Sequence, residues 1–292
     1  MKKINLIGVT LLVLFILPVV FTAKAADHPE VDIQATDLGT SKITIDGNET
    51  EWEDILDHDF TLSSPVNPTD SYTVPAELKV AYDANYVYFF VVIIEKFQGY
   101  NLTKAAETDS FVHDQMWGLG LAFSINGSDS SRHMGATNEN DPTSVGYADI
   151  MHWEAEVPMG VATSSAGFED MWATAWADKE VDAAGNAWTG AWMHSNPTNG
   201  TDGEYTFELK RALTNNDPND AQFKMNAKNE ITIAFWDPFQ SVNGWTDDGH
   251  YTSSEYGTYF ILGTLPSAPG YEVFVGILAL LMAIPIFSRK RK

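Results

Sequence analysis

The chain has 292 residues with 17 basic and 40 acidic side chains, a formal net charge of -23. Between Ala26 and Tyr271 the balance is 10 basic against 39 acidic residues, a surface that repels phosphate backbones and excludes nucleic acid as a partner. The absence of cysteine excludes disulfides, thiolate metal sites, iron–sulfur clusters, covalently attached haem and cysteine nucleophiles, while 44% hydrophobic and 12% aromatic content can fill a sizeable core.

Lys2 and Lys3 precede an apolar run from Ile4 to Phe21 and the triplet Ala23-Lys24-Ala25. A basic start, an apolar middle and an A-x-A ending make residues 1–25 a secretory signal. Residues 26–265 are then expected to form one extracytoplasmic domain. Ile43–Ile45 is the first predicted strand, followed by helical periodicity over Thr50–Leu56. Leu78, Val80 and Tyr82 alternate with polar or small residues, as in a strand with one buried face. Asp83-Ala84-Asn85 has the composition of a hairpin turn. Tyr86–Ile94 is apolar on both faces and is predicted to be a central strand packed on each side. Trp117–Ile125 follows, then a stretch rich in Ser, Asn, Asp and Gly over Gly127–Tyr147.

Further strands are predicted at Ala148–Glu154, Trp172–Asp178 and Ala187–Met193, and around Tyr205, Phe207 and Leu209. A second short helical pattern covers Lys210–Asn215. The loops Thr214–Gln222 and Asp237–Ser254 flank a strand at Ile231–Asp237, and Tyr256–Leu262 closes the series. Short strands separated by Gly, Asn, Asp and Pro turns predict an all-β antiparallel sandwich.

Residues 266–272 read as a tether. Residues 273–288 read as a transmembrane helix, although the apolar run Val273–Phe287 covers only roughly 22 Å of a ~30 Å hydrocarbon core without its flanks. The basic tail 289–292 should stay cytoplasmic, leaving the domain outside. Tether, helix and tail together resemble the C-terminal sorting signals of archaeal and bacterial surface proteins, which implies anchoring at the extracellular face, with the helix retained or replaced by lipid. Sequons at Asn48, Asn101, Asn126 and Asn199 fit an exported chain.

No G-x-S-x-G, H-E-x-x-H, P-loop or dinucleotide fingerprint occurs, so the chain reads as a binding or electron-transfer module rather than an autonomous catalyst. Ile43-Thr44-Ile45-Asp46-Gly47 with Glu51-Trp52, then Val80-Ala81-Tyr82-Asp83 leading into Tyr86-Val87-Tyr88-Phe89, resembles the opening of family 9 carbohydrate-binding domains and of DOMON-type haem domains. Later segments follow in order: Arg132-His133-Met134-Gly135, Asp149–Glu154, Tyr205–Thr214 with Asp217 and Asp220, Ile233–Asp237, and Gly249–Ser254. This series is similar to the haem-b-binding gamma subunit of ethylbenzene and dimethylsulfide dehydrogenases, over roughly residues 43–262. The resemblance implies Met134 as one axial haem ligand. The position of the family's lysine ligand holds His250, and histidine is a good haem ligand.

His133 and His152 are rival ligands, whereas His113 and His194 are expected at the surface. The expected function is an electron-transfer module holding one haem b. Its partner would be a redox protein such as a molybdenum oxidoreductase or a membrane electron carrier. The alternative is a surface-anchored carbohydrate-binding module using exposed members of the tryptophan set Trp117, Trp153, Trp172, Trp176, Trp188, Trp192, Trp236 and Trp245, since aromatic surplus suits either ring system. Asp217-Pro218-Asn219-Asp220 with Asp237, Asp247 and Asp248 offers oxygen ligands suited to calcium.

Overall fold

Two long strands, β4 (Thr73–Tyr82) and β5 (Tyr86–Ile94), form the hairpin that the sequence predicts. The Asp83 carboxylate sets the turn by accepting hydrogen bonds from the amides of Asn85 (2.7 Å) and Tyr86 (2.8 Å). The computed structural model describes residues 31–63, 72–98, 117–125, 146–154, 157–175, 178–237, 250–252 and 258–265. The predicted signal, tether, transmembrane helix and basic tail lie outside them. Among the described residues no helix is long and apolar enough to cross a membrane.

One sheet runs β10 (Thr189–His194), β11 (Glu204–Ala212), β5, β4 and β3 (Asp57–Ser63), antiparallel throughout. The other runs β13 (His250–Thr252), β12 (Lys228–Trp236), β6 (Gly118–Ser124), β7 (Ala148–Glu154), β8 (Phe168–Ala175) and β9 (Asp178–Val181). A single pair, Thr252 with Ser63, joins the two. The N-terminal strand β1 (Val31–Gln34) lies parallel to β14 (Thr258–Ile261), which pairs with β12, and β2 (Thr36–Asp37) lies parallel to β4. The β-sandwich predicted from the sequence is thus the architecture found.

Alternation decides which side chains meet between the sheets. Phe89 from β5, Phe123 from β6, Phe260 from β14, Phe223 and Trp188 form an aromatic centre with ring centroids 5.1 to 6.4 Å apart. Trp117, Trp153, Trp192 and Phe207 extend it toward one end. The opposite face of β5 is also covered: Tyr88, Phe90 and Val92 pack with Ile43, Ile45, Trp52 and Ile55. This second layer explains why β5 is apolar on both faces.

Ile43–Ile45 therefore buries its side chains without joining a ladder, which corrects the strand predicted there. Thr50–Leu56 contains a short 3-10 turn, Thr50–Trp52, rather than a longer helix. Lys210–Asn215 continues β11 to Ala212 and is not helical. The strand predicted at Trp172–Asp178 is β8, which begins earlier, with β9 starting at Asp178.

The Ile43–Ile55 layer is fastened by one carboxylate. Glu208 on β11 is fully buried and accepts from Trp52 Nε1 (2.7 Å) on one oxygen and from the amides of Asp46 (2.7 Å) and Gly47 (2.9 Å) on the other. Gly47 sits at φ +83°, where a Cβ would stand 2.8 Å from the Trp192 carbonyl carbon. Both the backbone conformation and the space demand glycine. Gly47→Ala should lose about 2–4 kcal/mol, read as a lower urea midpoint at unchanged m-value.

Candidate functional site

The outward face of the β12-β6-β7-β8 sheet is built from small side chains. Register places Ala234, Gly120 and His152 on one rung, with Glu169 beyond, and Trp236, Gly118 and Glu154 on the next. Ala122, Ala148, Ile150 and Ala173 form a minor apolar cluster on this face, with Met171 against it. Over this low floor stands Trp236, half-buried, whose six-membered ring reaches across Gly120. A Cβ on Gly120 would lie 3.1 Å from Trp236 Cζ3, so glycine is what lets the indole settle there.

His152 meets Trp236 edge-on at 4.9 Å between centroids. Its Nδ1 lies 3.3 Å from Glu169 Oε2 and 3.8 Å from Glu154 Oε1. Glu154 is buried, while the Glu169 side chain is about half exposed (48%). The result is an aromatic surface bordered by an imidazole and two carboxylates, a set able to stack on a ring and to hydrogen-bond its hydroxyls. Only His152 and Trp236 were singled out in the sequence. The i, i+2 spacing of His152 and Glu154 on a strand was a readable sign that they share a face, whereas Glu169 joins them only through strand pairing.

A second charged group lies at the opposite face of the same strands. Asp149 on β7, Asp170 on β8 and Asp220 each bring an oxygen within 4.8 Å of the others, and all three are buried. Arg211 from β11 enters this group, pairing with Asp149 and lying 3.5 Å from Asp220. Burial pushes the Asp170 carboxyl up to about 7 and that of Asp220 up to about 6, with the Asp149 charge acting in the same direction. Burial opposes the Arg211 charge, but Asp149 and Asp220 outweigh it and raise its pKa. Near the rim of this face Tyr147, 45% exposed, stacks on Trp172 with centroids 6.4 Å apart.

Of the predicted ligands, Met134 and His133 lie outside the described residues, as does His113. His250 occupies the β13 position opposite Trp236. His194 is buried rather than at the surface, which corrects that expectation. Its Nδ1 accepts from the Asn196 amide (3.0 Å), so Nε2 carries the proton and donates to the Glu95 carbonyl (3.1 Å). Burial lowers its pKa, and it is a neutral structural histidine. Trp117, Trp153, Trp188 and Trp192 are core residues, and Trp176 and Trp245 lie outside the described residues. Trp172 and Trp236 are thus the half-buried members of the described set.

Of the predicted calcium ligands among the described residues, Asp220 and Asp237 lie apart. Asp220 turns to Arg211 at one end of β11, whereas Asp237 accepts from Tyr72 (3.0 Å), which also bonds Glu95 at the other end. Asp217 accepts from the Asn219 amide within its own turn (2.9 Å), and Asp247 and Asp248 lie outside the described residues.

No protein-family model matches the chain, and no curated protein matches it. Among solved structures it is similar to a family 9 carbohydrate-binding module from Caldicellulosiruptor kristjanssonii in complex with cellotriose. The identity is 11% and the TM-score 0.41, covering 83% of this chain and 97% of that one. The same module in complex with glucose gives 11% identity and TM-score 0.35, over 83% and 100%. A protein from Bacteroides uniformis assigned to carbohydrate binding gives 5% and 0.42, over 79% and 99%. These superpositions are too loose to carry an argument about a site. Their descriptions name carbohydrate and none names haem, and the described candidate ligand His152 sets its Nδ1 toward Glu169 and Glu154 and its ring against Trp236. The haem-b electron-transfer module expected from the sequence is corrected accordingly.

Proposed function

We propose that the chain is a carbohydrate-binding module, presented outside the cell by its N-terminal signal and held at the surface by its C-terminal segment. The observation that carries this reading is the half-buried Trp236 laid across Gly120 beside His152, Glu154 and Glu169. An aromatic face takes the apolar C–H face of a sugar ring, and flanking carboxylates accept from its hydroxyls. The small residues around it leave room for the ring to lie down. The activity proposed is binding: the carboxylates lie beside His152 on the β7–β8 side of the aromatic ring, where they accept hydrogen bonds from a sugar's hydroxyls.

The test is retention of the full-length protein on insoluble polysaccharides, with affinities for soluble oligosaccharides by calorimetry. Trp236→Ala should weaken the best ligand by about 30-fold or more, the loss of one hot-spot contact, while leaving the circular dichroism unchanged. If Trp172→Ala abolishes binding and Trp236→Ala does not, the sugar sits on the Tyr147–Trp172 pair. If no polysaccharide retains the wild-type protein, the reading fails.

A further inference from the structure

We infer that Asp149, Asp170 and Asp220 form a site for one divalent cation of the calcium class, buried where β7, β8 and the loop after β11 meet. This site is independent of the sugar-binding face. Its first support is the oxygen inventory. Asp149 Oδ2 is used by Arg211 and by the Ala221 amide (2.8 Å), and Asp170 Oδ2 by the Ala187 amide (2.8 Å). Yet Asp149 Oδ1 and Asp170 Oδ1 are buried with no hydrogen-bond partner, on residues 0% and 4% exposed. Buried carboxylate oxygens left bare are strongly disfavoured in an apolar interior, and a cation gives both a partner.

The second support is charge. Three carboxylates face a single guanidinium, so the ionised group carries two negative charges in excess, which one divalent cation neutralises. All the donors offered are hard oxygens, with no imidazole or sulfur, which favours calcium over transition metals. Asn215 bonds Asp220 and Gln222, so hydrogen bonds within the loop Thr214–Gln222 fix the position of Asp220. Arg211 remains beside the ion as the partner that orients Asp149. The raised carboxyl values of Asp170 and Asp220 agree with this picture, because protons held only up to about 7 and 6 yield readily to a metal.

The experiment uses the full-length protein in mild detergent, stripped with a chelator and held near pH 7.5. Addition of about 5 mM CaCl2 should raise the melting temperature by about 5 °C or more, with MgCl2 giving less. Terbium should bind the same position and emit on excitation of Trp188, whose ring lies 5.1 Å from the Arg211 guanidinium. Asp170→Asn, which relieves the charge excess and so should fold, is expected to abolish both responses, and Asp220→Asn serves if it does not fold. Two outcomes overturn the site. One is a wild-type protein indifferent to calcium and terbium, and Asp170→Asn being then more stable than wild type would show a site filled by protons. The other is an equal calcium response in wild type and variant, which places the ion elsewhere.

Discussion

Glu208→Ala should cost about 3 kcal/mol or more, because three donors lose their acceptor at once and each orphaned buried donor costs about 1–3 kcal/mol. The three are Trp52 Nε1 and the amides of Asp46 and Gly47. They belong to the segment that covers the outer face of β5, so the damage should not stay local. With the carboxylate gone, Trp52 and the Ile43–Ile45 segment lose their fixed place, and Tyr88, Phe90 and Val92 become exposed. Glu208→Gln is the informative comparison. An amide has one accepting oxygen where the carboxylate uses two, so either Trp52 or the Asp46–Gly47 amides must face an NH2 group. The expected loss is about 1–3 kcal/mol, with Trp52 fluorescence and the urea midpoint as readouts. If Glu208→Ala stays within about 1 kcal/mol of wild type, the carboxylate is not what fastens this layer.

The same residues show what the sequence discloses and what it withholds. Tyr86–Ile94 is readable as a doubly covered strand because seven apolar residues inside it are buried on both faces. Ile43–Ile45 alternates apolar and polar residues as a strand would and is not one, because burying side chains on a neighbouring sheet requires alternation but not pairing. β3 escapes prediction for the opposite reason: Asp57, His58 and Asp59 open it with charge, and only Phe60 and Leu62 supply an apolar face. Motifs that carry the resemblance to haem and sugar-binding sandwiches, Asp46-Gly47, Trp52 and Glu208, are joined in one structural fastening. They specify an architecture and are silent on ligand, so the resemblance by itself does not choose between haem and sugar. The two candidate sites were less legible. Trp236 and His152 are far apart in sequence and meet only because Gly120 lies between their strands. Asp149, Asp170 and Asp220 come from three elements, and only Asp220 is readable in the sequence as a metal ligand.

Arg211→Met should be as damaging as the loss of Glu208, and its cost should depend on pH. Arg211 is 1% exposed and compensates Asp149 and Asp220 directly. Removing one partner of a buried ion pair leaves uncompensated charge and costs about 3–5 kcal/mol. The carboxylates can escape that cost only by taking protons. In the chelated wild type, Asp170 titrates at about 7 and Asp220 at about 6 in the folded protein, against 3.8 for an ordinary aspartate. Their folded values lie above the unfolded ones, so between about 4 and 7 the folded state holds more protons, and stability falls as pH rises through that window. Asp217, which faces Asp220 from the loop, adds to the repulsion. Without Arg211 the carboxyls hold their protons more tightly still, so the gap between variant and wild type should be widest above pH ~7 and shrink toward pH ~4. Urea titrations across that range, with chelator present throughout, measure the gap directly. Asp170→Asn removes one titrating group and should flatten the wild-type profile between those limits. A gap that stays constant with pH would mean that Arg211 contributes packing against Trp188 and Phe223, whose rings lie 5.1 and 4.9 Å from its guanidinium, and not charge.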